Sequence, residues 1–195
     1  MNQQKAAIFD LNGILIQSPL LSERIRQDYG VNKEEFLPVL SEIMDEVRRP
    51  GARAMYDYWK PHLARWKIPL DQEAFLHYWF SAEKENKEMT RYALSLKKKG
   101  WKIFIFSNNF RERAAYYQAN FRFIDDFDEV FYSWKTGFVK PDERGLAQIL
   151  SKYKLEPGNC YYFDDSEKNV ALALKMGLHA SKFESLAATK RILEG

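Results

Sequence analysis

Three short apolar runs punctuate the chain: AAIF at 6–9, WKIFIF at 101–106 and CYYF at 160–163. None alternates cleanly between polar and apolar residues, which is the pattern of strands buried on both faces. Each run gives way to polar residues and then to a helical periodicity. Helices are predicted over 88–99, stopped by Gly100, and over 111–119. Two more are predicted over 142–154, between Pro141 and Pro157-Gly158, and over 166–176, with Ser166 as the cap and Gly177 as the stop. A weaker strand at 129–132, a last strand at 180–183 and a terminal helix at 186–193 complete the pattern. Strand–helix alternation of this kind predicts an α/β fold with a parallel sheet and helices on both faces.

The stretch 19–86 interrupts that alternation. It contains no strand-like run and reads as three or four amphipathic helices, broken near Gly30, Pro50-Gly51 and Pro69. Its aromatic stripe includes Tyr56, Trp59, Trp66, Phe75 and Trp79, and such a stripe is the usual core between helices. The expected organisation is therefore an α/β core from 1–18 and 87–195, with 19–86 inserted as a helical cap.

Composition narrows the class. The 195-residue chain is 46% hydrophobic and 29% charged, which supports a packed core and excludes collagen-like or disordered classes. A net charge of +3 without a basic block gives no reason to expect a nucleic-acid partner. Lys97, Lys98 and Lys99 form the one lysine run, at a helix end where cations suit the helix dipole. No stretch approaches a membrane span, the polar start at 1–5 carries no signal sequence, and no membrane partner is expected. The single cysteine, Cys160, fits a reducing cytoplasm and reads as a small core residue.

The chemistry should lie where the apolar runs end. The first ends in Asp10, the second in Ser107-Asn108-Asn109 and the third in Asp164-Asp165. In a parallel sheet these ends share one edge, where open α/β sheets bind ligands. Three carboxylates so close repel one another unless a cation offsets them. Their hard oxygens favour Mg²⁺, and Lys140 is the candidate for a balancing charge. Each feature alone has a bland reading, because an Asp at a strand end is usually a turn or cap residue. Their joint order is harder to dismiss. His62, His77 and His179 are too scattered to form a metal cluster.

Four segments resemble the motifs of the haloacid dehalogenase (HAD) superfamily, in family order: Phe9-Asp10-Leu11-Asn12-Gly13, Phe106-Ser107-Asn108, Lys140-Pro141 seven residues after Ser133, and Phe163-Asp164-Asp165 with Asn169. The resemblance spans the chain. It is nearest to small sugar-phosphate phosphatases and to the phosphatase domain of epoxide hydrolases. It implies a Rossmann-like core with a helical cap, a Mg²⁺ cofactor and a small phosphorylated substrate. By that resemblance Asp10 is the nucleophile that forms an aspartyl-phosphate. Asp10, the backbone carbonyl of Asn12 and Asp165 hold the metal, with Asp164 beside them. Ser107, the Asn108 amide and Lys140 bind the phosphoryl oxygens, and Lys140 keeps Asp10 ionised. The cap closes over the site and, with residues 14–20, selects the substrate.

One position departs from the pattern. Phosphatases of the superfamily usually carry a second Asp two residues after the nucleophile as acid and base, and here that residue is Asn12. An amide does not exchange that proton, and losing a general acid–base typically costs about two to four decades of rate. Four readings stand open: a natural phosphatase with another proton source or a good leaving group, an engineered Asp-to-Asn variant, a pseudoenzyme that binds a phosphorylated ligand, and deamidation of Asn12-Gly13. The dehalogenase branch also lacks the second Asp. It ranks lower, because the Asp164-Asp165 pair resembles a metal site that dehalogenation does not need.

Overall fold

The computed structural model describes residues 4–194. The polar start at 1–3 lies outside the described residues. In chain order the elements are β1 (Ala6–Phe9), β2 (Ile16–Gln17), α1 (Leu21–Tyr29), α2 (Lys33–Val47), α3 (Met55–Arg65), α4 (Gln72–Phe80) and β3 (Lys84–Glu85). There follow α5 (Lys87–Lys98), β4 (Lys102–Ser107), α6 (Arg111–Asn120), β5 (Glu129–Tyr132), α7 (Ser133–Thr136) and α8 (Glu143–Tyr153). The chain closes with β6 (Cys160–Asp164), α9 (Glu167–Lys175), β7 (His179–Lys182) and α10 (Leu186–Glu194).

The central sheet has the order β5-β4-β1-β6-β7, and every pairing in it is parallel. Side chains of β1 alternate between two cores, as the two-residue period of a strand requires. Ala7 and Phe9 join Ile103 and Ile105 under α5 and α6, while Ala6 and Ile8 join Phe104 and Phe106 under α8 and α9. Burial on both faces is why these runs do not alternate in sequence. The chain leaves β1 for β4 and β5 on one side, then returns to place β6 and β7 on the other. That reversal opens a crevice at the carboxyl end of β1.

The predicted strands and helices of the core are present, with ends shifted by a residue or two. Ser166 stands at the start of α9 as expected, but its side chain makes no cap bond. Cys160 is fully buried, and burial pushes its thiol up to about 12, so it acts as a small apolar filler. Among the described residues, no helix is long and apolar enough to cross a membrane.

The inserted block folds as four helices, α1 to α4. Gly30 ends α1 in the left-handed conformation with φ 72°, as its position in the sequence predicts. Pro38 and Pro61 sit inside α2 and α3 without ending them. Each removes one amide donor, but the prolines and the Glu34 and Asp57 residues they leave unpartnered are exposed, so water can serve those carbonyls. The expectation of no strand in 19–86 needs one correction. Lys84–Glu85 pairs antiparallel with Ile16–Gln17, closing the entry and exit of the block into a short ribbon. Two residues are too few to show a strand period.

Trp59 is the centre of the block's core. It is fully buried and packs against Phe36 and Phe75, both at 5.3 Å between ring centroids, and against Trp79 at 6.0 Å. Phe110, at the start of α6, belongs to the same cluster. The Trp59 indole N–H finds no acceptor among the described residues. Trp59→Ala is expected to cost about 3–5 kcal/mol. Trp59→Phe should cost far less, because it removes an unsatisfied buried donor worth about 1–3 kcal/mol. Urea unfolding of both variants checks this; an equal loss would contradict it.

Candidate active site

The ends of β1, β4 and β6 place Asp10, Ser107 and Asp164 side by side, and one lysine ties them together. Lys140 Nζ lies 2.9 Å from Asp10 Oδ1 and 2.7 Å from Asp164 Oδ2. It also donates to the Phe106 carbonyl at 3.0 Å. Asn108 sets its position: the Asn108 Oδ1 accepts from the Lys140 N–H at 2.7 Å and its Nδ2 donates to the Lys140 carbonyl at 3.0 Å. With the Asn108 side chain so engaged, its backbone N–H is what it can offer an anion. Asn109 is structural. It exchanges hydrogen bonds with Ser133 at 3.1 and 3.0 Å.

The electrostatics follow from burial. Desolvation pushes the Asp10 carboxyl up to about 6, against the pull of Lys140 and with the push of Asp164. The expectation that Lys140 keeps Asp10 ionised is therefore met in direction but not in strength, because the one ammonium also serves Asp164. Burial acts on Asp164 as well, but Lys140, Tyr162 and the Ser166 N–H hold it below the ordinary carboxylate range. Burial alone would lower Lys140; its two carboxylates raise it instead.

Asp164 is saturated. Its Oδ2 accepts from Lys140 and from the Tyr162 hydroxyl, and its Oδ1 accepts from Ser166 N–H and Asn169 Nδ2, both at 2.9 Å. It thus anchors the residue that starts α9, whose own first amides receive no side-chain cap. Asp10 Oδ1 also accepts from Leu11 N–H at 2.7 Å, which leaves Oδ2 free of donors among the described residues. Oxygens of Asp10, Asp164 and Asp165 lie within 4.8 Å of one another, an arrangement that can hold a metal ion. Burial and the Asp164 charge push Asp165 up. Gly13 makes this approach possible: at φ +87° it adopts a conformation side chains disfavour, and a Cβ there would stand 2.8 Å from Asp165 Oδ2.

Asn12 sits half-buried, two residues after Asp10. Its Nδ2 donates to the Tyr117 hydroxyl at 2.6 Å and to Ser18 Oγ at 3.1 Å, while its Oδ1 is buried without a partner. Tyr117 belongs to a second buried charge cluster. Arg113 on α6 pairs with Glu83, donates to Ser18 Oγ at 3.0 Å and lies over the rings of Trp79 and Tyr117.

A cavity of about 310 Å³ opens over these groups, lined by Asp10, Asn12, Ser107, Lys140 and Asp165, and by Arg48 from the helical block. The Ser107 hydroxyl has no hydrogen-bond partner among the described residues. A profile of the haloacid dehalogenase-like hydrolases matches residues 4–177. The chain belongs to that family. It is 26% identical over 188 residues to the bifunctional epoxide hydrolase 2 of Sus scrofa, covering 83% of this chain and 33% of that protein. It is 23% identical over 203 residues to the acyl-CoA dehydrogenase family member 10 of Mus musculus, covering 97% and 19%. The chain thus spans a third or less of the length of these curated relatives. In fold it is similar to a HAD family enzyme of Bacteroides thetaiotaomicron, with a TM-score of 0.82 at 17% identity over 98% of this chain and 99% of that one. That enzyme has also been solved in complex with magnesium and inorganic phosphate; that form aligns with a TM-score of 0.78 at 15% identity, over 95% of this chain and 98% of that one.

The fold brings Asp10, Asn12, Ser107, Asn108, Lys140, Asp165 and Asn169 to the lining of one cavity, with Asp164 buried behind them and bonded to Lys140 and Asn169. Sequence reasoning missed Arg48, Arg113, Tyr117 and Glu83. Nothing local marks them, since each is one charged or aromatic residue on an amphipathic helix or in a loop. The shared ion pair yields a test. Without Lys140, Asp10, already above its unfolded value, rises further and Asp164 rises above its own, so the associated stability is present at low pH and lost as pH rises through them. Lys140→Met should therefore destabilise by about 3–5 kcal/mol near neutrality and by clearly less near pH 5. Thermal melts in EDTA at the two pH values measure this; a loss independent of pH would contradict it.

Proposed function

We propose that this chain is a Mg²⁺-dependent phosphatase of small phosphorylated metabolites, sugar phosphates among them. The observation that carries the reading is one cavity holding the carboxylates of Asp10 and Asp165, the unpartnered Ser107 hydroxyl and the Lys140 ammonium. The Bacteroides relative's complex with magnesium and inorganic phosphate supports the same chemistry.

Asp10 is the nucleophile. It attacks phosphorus as the bond to the alcohol oxygen breaks, giving an aspartyl-phosphate and an alkoxide that takes up a proton. Water then attacks phosphorus, which frees inorganic phosphate and returns the Asp10 carboxylate. Ser107, Lys140 and the Asn108 backbone N–H bind the phosphoryl oxygens as charge moves onto them. Asp10, Asp165 and the Asn12 backbone carbonyl would hold Mg²⁺, which when bound would offset carboxylate repulsion and supply Lewis-acid chemistry to the phosphoryl group. Asp164 and Asn169 act behind them, by fixing Lys140 and each other. The helical block covers the cavity, excludes water and selects the substrate.

Asn12 leaves the leaving group to be protonated by solvent, so activated aryl phosphates should turn over faster than alkyl phosphates. With Mg²⁺, the purified protein should release phosphate from a broad substrate panel, and Asp10→Asn should abolish release. No release from any member, aryl phosphates included, would sink the reading. The second reading is a phosphate-ligand binder without turnover, favoured by the Asn12 amide being held between Tyr117 and Ser18. It predicts thermal stabilisation by ligand without phosphate release. Under either reading Asn12→Asp should raise alkyl phosphate hydrolysis by about 10² or more. A dehalogenase reading predicts halide release without metal and has no use for the Asp164-Asp165 pair.

Metal binding should be linked to protons. Burial holds Asp10 up at about 6, so below that pH a cation must displace a proton. Mg²⁺ affinity should rise with pH between about 5 and 7 and then level off. Calorimetry in buffers of different ionisation heat reads the proton release; an affinity flat across that range would contradict it.

A further inference from the structure

The cations around the cavity differ in how they are neutralised. Lys140 is bound by Asp10 and Asp164. Arg113 is paired with Glu83 and bonded to Ser18. Lys168 is exposed to water on the rim. Arg48 is the exception. It stands at the carboxyl end of α2, is half-buried, and has no ion pair or side-chain hydrogen bond among the described residues. Its Nε is buried without any acceptor. Burial and the nearby Arg113 charge both disfavour its charged form, and Asp45 and Asp10 only partly oppose them.

A guanidinium does not shed its proton under such pressure. A buried unpaired donor on a permanent cation therefore calls for an anion. The reacting phosphoryl group already has the Ser107 hydroxyl and Lys140 on the sheet edge. Arg48 comes from the helical block and lines the same cavity from there. Its planar fork carries one charge and matches a carboxylate in charge and in two-oxygen geometry. A second phosphate would bring more charge than one guanidinium offsets.

We propose that Arg48 is a specificity-determining residue that binds a carboxylate on the part of the substrate that is not transferred, so that the preferred substrate is a small phosphorylated carboxylic acid. This rests on the phosphatase reading and refines it. Arg48 touches no reacting atom in this proposal; it orients the molecule whose phosphate meets Asp10.

Two probes alike but for one group test it: 2-carboxyethyl phosphate and propyl phosphate. The wild-type protein with Mg²⁺ should prefer the first in kcat/KM by at least about tenfold, the scale of one charge-assisted bidentate contact. Arg48→Gln should collapse that ratio to near one, mainly through KM, and Arg48→Lys should retain part of it. Melting temperatures of the variants, taken in parallel, register any loss of folding, which would lower both substrates alike and leave the ratio intact. A wild-type ratio near one, or a ratio unchanged in Arg48→Gln, overturns the proposal. The binding arm stands apart from turnover. Wild-type protein and its Arg48→Gln variant are melted with each probe in excess. Greater stabilisation by 2-carboxyethyl phosphate, lost in the variant, upholds the carboxylate site even if no phosphate is released, in which case the phosphatase reading alone fails. Equal stabilisation by the two probes overturns the site.

Discussion

Lys140 carries one positive charge between two buried carboxylates, and the carboxyl edge of the sheet is arranged around that shared ion. Its ammonium meets Asp10 from β1 and Asp164 from β6, and it donates to the Phe106 carbonyl of β4. Three adjacent strands are thereby held at their ends by one side chain. Burying a charge without compensation costs several kcal/mol, so the geometry must be kept close. The molecule keeps it from both directions. Asn108 clasps the backbone of Lys140, while Tyr162, Ser166 and Asn169 complete the shell of Asp164. Asp10 is the member left incompletely satisfied, with one oxygen free toward the cavity. A group held partly unsatisfied at the mouth of a crevice is one poised to react.

A second buried ion pair joins the helical block to the core. Glu83, just after α4, meets Arg113 on α6, and Arg113 lies against Trp79 of the block. Phe110 shares the block's apolar cluster, and the Met55 N–H donates to Glu112 at 3.1 Å. Helical block and core are thus packed on one helix, α6. The same cluster reaches Asn12, two residues from Asp10: Arg113 and Asn12 share Ser18, and Asn12 donates to Tyr117. Residue 12 therefore sits between Asp10 and the cluster that joins block and core. Its amide nitrogen donates to two hydroxyls there, while its Oδ1 stays buried without a partner among the described residues.

Much of this was legible in the chain. Strands buried on both faces announce themselves as short apolar runs, and Asp10, Ser107 and Asp164-Asp165 were found because each stands where such a run ends. Lys140 was found because three carboxylates demand a cation. The β2–β3 ribbon was not legible, because two residues carry no period. Nor was the division of labour among the acids, since Asp164 and Asp165 are neighbours in sequence and opposites in environment: one fully bonded, the other exposed.

Local order and chemistry were thus determined by the sequence itself: which segments are strands, where each stops, and which reactive side chain follows. These depend on neighbours along the chain, and periodicity records them. Tertiary structure alone decided that burial raises Asp10 despite its lysine, that Arg113 is neutralised by Glu83, and that Arg48 is left unpaired over the cavity. The physical reason is that desolvation and pairing depend on what else is within a few ångströms in space. Arg113 meets Glu83 across 30 residues of chain, and Arg113 and Asp10, whose charges act on Arg48, lie tens of residues from it.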